Sequence, residues 1–113
     1  MVVGKHAIID INDCKVNIDD LEIIKKILLD SAKEAKLNVV DIVFHEFEPI
    51  GISGVVVLAE SHIAVHTWPE YNFVAADAFT CGTTMDPKVV LEIIAKKLNS
   101  NNYKIKDFNR GEI

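Results

Sequence analysis

Residues 53–82 read SGVVVLAESHIAVHTWPEYNFVAADAFTCG. The stretch opens, over 53–60, with a nearly continuous apolar run, the pattern of a strand buried on both faces. Residues 62–67 and 73–80 predict two more strands. Between them, Trp68-Pro69-Glu70-Tyr71-Asn72 forms a loop, its proline and asparagine marking the break.

Working outward, residues 38–48 are β-branched with partial alternation, and Pro49 and Gly51 end them, which adds a strand before the run. Further back the period changes. Over 19–35, Leu21, Ile24, Leu28 and Ala32 recur three or four apart, with Lys25, Lys26, Lys33 and Glu34 around the other sides, the mark of an amphipathic helix. Asp19 followed by Glu22 resembles a capping box in acidic form. Residues 2–11 are rich in β-branched side chains and stop at Asn12-Asp13, so they predict a first strand. On the C-terminal side, Asp86-Pro87 opens a second helix as N-cap and first helical residue, with Val90, Ile93, Ile94 and Leu98 on its apolar face. Residues 103–108 alternate weakly and predict a last strand. Strand, helix, up to four strands, helix, strand is the order of an α+β fold. Its simplest packing is a two-layer sandwich, a mainly antiparallel sheet with two helices on one face. No linker or repeat divides the 113 residues, so 1–113 reads as a single domain.

The net charge is −5 and no run of Lys or Arg exceeds two, as in Lys25-Lys26 and Lys96-Lys97, so a nucleic-acid partner is not expected. The longest apolar run, residues 55–59, falls far short of the about 20 needed to span a bilayer, so no membrane partner is expected either. Cys14 and Cys81 make no disulfide framework, and no secretory signal is visible. The expectation is a soluble cytoplasmic protein with free thiols.

Reactive side chains crowd the central stretch: Ser53, Glu60, Ser61, His62, His66, Glu70 and Cys81. On a regular strand His62 and His66 share a face and Ser61 points away from them. Hairpin pairing is expected to bring Cys81 back toward both Ser61 and His66. Residue chemistry alone leaves three readings open. His62, His66 and Cys81 are suitable metal ligands. A Cys–His or Ser–His pair is a nucleophile for hydrolysis. Hydrogen-bonded imidazoles and a packed thiol are equally consistent with a purely structural role, and on composition alone that reading is the most economical.

A longer pattern changes the order of these readings. ESHIAVHTWPEY over residues 60–71, followed by FTCG over 79–82, resembles the processing-site signature of the prokaryotic S-adenosylmethionine decarboxylases. The likeness extends to Gly4-Lys5-His6, Phe47, Pro49, Ser53-Gly54-Val55-Val56-Val57 and Arg110-Gly111, and so covers most of the chain. One departure is Asn72-Phe73-Val74, where the family often has glycine, an aromatic residue and alanine. It bears on the shape of the turn.

The resemblance implies a self-cleaving proenzyme. The chain would break between Glu60 and Ser61 into a β chain, 1–60, and an α chain, 61–113. Ser61 would attack the Glu60 carbonyl, with Ser53 and His66 matching the oxyanion donors and His66 the base that removes the Ser61 Cα proton. β-Elimination and hydrolysis would leave a covalent pyruvoyl group made from Ser61. That cofactor, as a Schiff base with the substrate amine, supplies the electron sink that no ordinary side chain offers. The substrate would be S-adenosylmethionine, and its decarboxylated product the aminopropyl donor for spermidine synthesis. Cys81 matches the proton donor to the product carbon. Phe47 matches an aromatic that stacks on adenine, and Trp68 and Glu70 match loop residues at the adenosine, Glu70 at the ribose. No metal is implied. Partnership is implied as a homodimer of αβ units, its sheets face to face in a four-layer αββα sandwich, with Glu70 able to serve the partner's site. Two alternatives stay open: a pyruvoyl-dependent arginine decarboxylase of the same superfamily, and a non-catalytic α+β binding protein.

Overall fold

Eleven residues of strand begin the chain, β1 (Val2–Asn12), followed by α1 (Leu21–Glu34), β2 (Val39–Glu46), β3 (Ile52–Leu58), β4 (Ser61–Trp68), β5 (Phe73–Cys81), α2 (Pro87–Lys97) and β6 (Asn102–Glu112). The computed structural model describes residues 1–59, 61–82 and 85–113. The six strands form one antiparallel sheet in the order β2-β3-β4-β5-β1-β6. The meander β2 to β5 follows from connections too short for a parallel crossover. β1 then inserts beside β5, and β6 closes that side.

Alternation along the strands decides which face carries the core. Ala7, Ile9 and Ile11 of β1, Val56 and Leu58 of β3, Ile63 and Val65 of β4, and Val74, Ala76 and Ala78 of β5 are buried. They pack against Ile24, Leu28 and Ala32 of α1 and Val90, Leu91, Ile94 and Ala95 of α2. This is the expected two-layer sandwich. On α2 the buried stripe runs through Leu91 and Ala95, while Ile93 is only partly covered. Among the described residues no helix is long and apolar enough to cross a membrane.

Three expectations are corrected. β3 is buried on one face only: Val55 and Val57 are each 38% exposed, because among the described residues no layer covers the far side of the sheet. The α1 cap is Asp20, whose Oδ1 accepts from the backbone N–H of Glu22 and Ile23. Asp19 instead accepts from Gly51 N at 2.8 Å, tying the helix start to the β2–β3 hairpin. β6 runs well past 108, to Glu112, because pairing with β1 along its whole length holds residues that are almost all exposed and carry no apolar period.

Both helices end in one motif. After α1, Lys36 takes φ +61° and Leu37 N–H reaches back to Ala32 O; after α2, Asn99 takes φ +54° and Ser100 N–H reaches Ala95 O. These 6→1 bonds satisfy carbonyls that a helix end otherwise leaves unpaired. The turn after the Trp-Pro-Glu-Tyr stretch uses the same region of backbone space. Asn72 sits at φ 51°, ψ 38°, a left-handed conformation that glycine adopts freely and asparagine tolerates. The replacement of the family's glycine is thereby accommodated.

Candidate active site

Ser61 is the first residue of β4. Its odd-numbered neighbours Ile63, Val65 and Thr67 turn toward the helices and are buried; His66 and Trp68 turn to the uncovered face and are exposed. Ser61 shares the helix side at the rim of the sheet and is half-buried. It borders a cleft of about 470 Å³ with Leu37, Leu58, Thr80, Cys81 and Met85. Cys81 ends β5 and is an exposed free thiol. Glu60, expected to supply the attacked carbonyl, lies outside the described residues.

The remaining expected residues gather elsewhere. Ser53 and His66 are direct cross-strand partners, with Ser53 Oγ 2.8 Å from His66 Nδ1. They line a second cleft, of about 290 Å³, together with Phe47, Gly51, Trp68 and Glu70. Phe47 is placed by the β2–β3 hairpin, where its N–H donates to Gly51 O at 2.8 Å and Asp19 pins Gly51. Its ring meets His45 edge-on at 4.6 Å. Trp68 leads into a short 3-10 turn, Pro69–Tyr71, that carries Glu70. The indole lies 6.4 Å from the His66 ring and 5.5 Å from Phe73.

The expectation that Cys81 returns toward both Ser61 and His66 therefore holds for one and fails for the other. Antiparallel register pairs His62 with Phe79 and His66 with Ala75. Cys81 returns to the Ser61 end, but His66 lies five residues further along β4, about 17 Å away at 3.3 Å per residue. The same register separates Cys81 from His66, so His62, His66 and Cys81 are not a ligand set.

The chain matches the family model of S-adenosylmethionine decarboxylase over residues 5–111. The chain belongs to the S-adenosylmethionine decarboxylase family. It is 46% identical over 112 residues to the S-adenosylmethionine decarboxylase proenzyme of Thermodesulfovibrio yellowstonii, covering 98% of this chain and 83% of that one. With the proenzyme of Pseudomonas paraeruginosa it shares 42% over 111 residues, 97% of this chain and 69% of the relative. The crystal structure of the adenosylmethionine decarboxylase from Aquifex aeolicus superposes with a TM-score of 0.90 at 31% identity, over 99% of this chain and 93% of that one.

In this member of the S-adenosylmethionine decarboxylase family one polar cluster joins His6, His62 and Arg110, which the sequence reading named separately, through Asp77, which it did not name. On the uncovered face His6 Nε2 and His62 Nε2 each lie 2.8 Å from Asp77 Oδ2, and Arg110 Nη1 lies 2.8 Å from His6 Nδ1. Arg110 and His6 are 104 residues apart, and only the insertion of β1 between β5 and β6 joins them. Cys14 is different in kind: it is buried, and burial, with the nearby Asp13 charge, pushes its thiol up to about 11. It is a packed side chain with no nucleophilic role.

Proposed function

We propose that this chain cleaves itself between Glu60 and Ser61, into segments 1–60 and 61–113, and then decarboxylates S-adenosylmethionine with a pyruvoyl group made from Ser61. The observation that carries the reading is the division of the family's signature residues between two clefts, Ser61 with Cys81 and Ser53–His66 with Phe47, Trp68 and Glu70. Neither cleft holds a full set, and the sheet face that carries His66 is uncovered. Val43, Val55, Val57, Trp68 and Phe108 stand exposed on it, an apolar surface of the kind that marks an interface. Two copies packed face to face about a two-fold axis, running antiparallel, bring the Ser61 end of one protomer to the His66 end of its partner. β3 then acquires its second buried face, over Val55 and Val57.

Each side chain has a task in that assembly. The Ser61 hydroxyl attacks the Glu60 carbonyl carbon; the C–N bond breaks, the Ser61 nitrogen takes the proton, and an ester joins the two segments. If Nδ1–H of His66 donates to Ser53 Oγ, two groups are left free. The Ser53 hydroxyl proton can stabilise the oxyanion, and the His66 Nε2 lone pair can take the Ser61 Cα proton. That loss expels the Glu60 carboxylate, and water then replaces the nitrogen, which leaves as ammonia. Ser61 fits this fate, since it is half-buried at the mouth of a cleft with room for a substrate and a thiol alongside. The pyruvoyl ketone and its neighbouring amide carbonyl supply the electron sink for loss of CO2. Cys81 delivers a proton to the product carbon. Phe47 and Trp68 offer faces for adenine and the sulfonium, and Glu70 holds the ribose hydroxyls. An arginine substrate would leave both aromatic faces without a ring to stack on, which favours the adenosyl compound.

Denaturing mass spectrometry of fresh protein tests this. Two fragments split at 60/61, the second lighter by one ammonia than a Ser-started peptide, are expected, with turnover of S-adenosylmethionine and not of arginine. A single mass that persists on prolonged warming removes the cofactor and brings a binding protein to the front.

A further inference from the structure

The cluster on the uncovered face has a defined proton arrangement. A guanidinium only donates, so His6 Nδ1, 2.8 Å from Arg110, is an acceptor. The ring proton of His6 is then on Nε2 and is donated to Asp77 Oδ2. The same carboxylate oxygen receives the Nε2–H of His62. Phe79 closes the group: it stacks on His62 with 8° between the planes, meets His6 edge-on at 5.5 Å, and lies under the Arg110 guanidinium at 6.0 Å. The three ligand atoms of His6, His62 and Asp77 lie within 4.8 Å of one another, a span that a metal ion would accept. Arg110 argues against that use, because it leaves His6 Nε2 with a proton where a ligand needs a lone pair. The cluster is a hydrogen-bonded brace, and its fixed end is His62.

His62 directly follows Ser61. On the function proposed above, on which this inference rests, cleavage turns residue 61 into a chain end, and chain ends fray unless tied down. His62 is the first side chain after the cut that is held, by Asp77 on β5 and by the Phe79 ring. We infer that Asp77 is a positioning residue: supported by His6 and Arg110, it fixes His62 and thereby keeps the reacting end of the cleaved chain over its cleft.

The test compares wild type, Asp77→Ala and Asp77→Asn as full chains. Three quantities are read: kcat and KM on the cleaved fraction, amide hydrogen exchange over 62–66, and exchange in α2 as a control for global stability. For Asp77→Ala, kcat is expected to fall on the order of tenfold to a hundredfold, the cost of a misplaced reacting group. KM should stay within about twofold, since substrate contacts are untouched. Exchange over 62–66 should quicken while α2 stays protected. Asp77→Asn keeps one acceptor oxygen and should recover part of both effects. Movement of kcat without exchange, of exchange without kcat, or of neither overturns the inference. If Asp77→Ala does not fold, Asp77→Asn carries the same readouts. If wild type neither cleaves nor turns over, the proposed function fails, while unchanged exchange in the uncut variant rejects the brace separately.

Discussion

Ser61 and His66 belong to one strand, yet they face opposite sides of the sheet and stand about 17 Å apart along it. On the proposed function, His66 therefore acts on the Ser61 of the partner protomer. Co-expression of Ser61→Ala with His66→Ala checks this. Each variant alone should be inactive. In the proposed dimer, random mixing would give half heterodimers with one complete site in two, so the mixture should recover about a quarter of wild-type turnover. No recovery in verified heterodimers would place both residues in the same protomer's site.

Cys81 is proposed to act after the cut and not in making it. Cys81→Ala should still yield both fragments, while kcat/KM falls by about 10²- to 10⁴-fold, the range for loss of a positioned acid. Gel analysis and a CO2-release assay separate the two steps. Loss of cleavage itself would assign the thiol to processing.

The two thiols differ in environment, and a native thiol titration should show it. Cys81 is exposed and should react at once, Cys14 only on unfolding. The Cys14 thiol titrates at about 11 in the folded chain against an ordinary 9.0. A raised folded value means that the unfolded chain loses its proton first as pH rises. The contribution to stability is complete below pH 9.0 and is lost as pH climbs toward about 11. Urea midpoints across that window should decline in wild type and decline less in Cys14→Ala.

Neighbouring aspartates at the start of α1 do different work. Asp20→Ala removes the cap bonds to Glu22 and Ile23 and should cost about 1 kcal/mol in urea unfolding. Asp19→Ala removes the bond to Gly51 and frees the hairpin that carries Phe47. Its expected effect is a raised KM with kcat nearly unchanged, as for lost ground-state binding. Equal effects of the two substitutions on stability and KM would refute the division.

Much of this was legible in order along the chain. Apolar periods and β-branched runs located most of the elements, because an element that buries one face writes the period of that burial locally. The 60–71 and 79–82 motifs pointed to the family for a related reason: the residues are contiguous. β6 was under-read because its side chains are exposed and only its backbone is paired. Lys36 gave no signal as a helix stop, since its left-handed backbone is held by the bond from Leu37 to Ala32, not by residue type.

The sequence by itself determined the α+β sandwich and the family, and it singled out Ser53, Ser61, His66 and Cys81 as the proposed set. Only the tertiary structure decided that the set is divided, that Asp19 serves a hairpin and Asp20 the helix, and that Arg110, His6, Asp77 and His62 form one brace. The physical reason is register. Which residues meet across a sheet depends on how strands distant in sequence align, and a slip of one position would turn every side chain to the other face. No local pattern encodes that alignment; the packing of the whole core against two helices sets it.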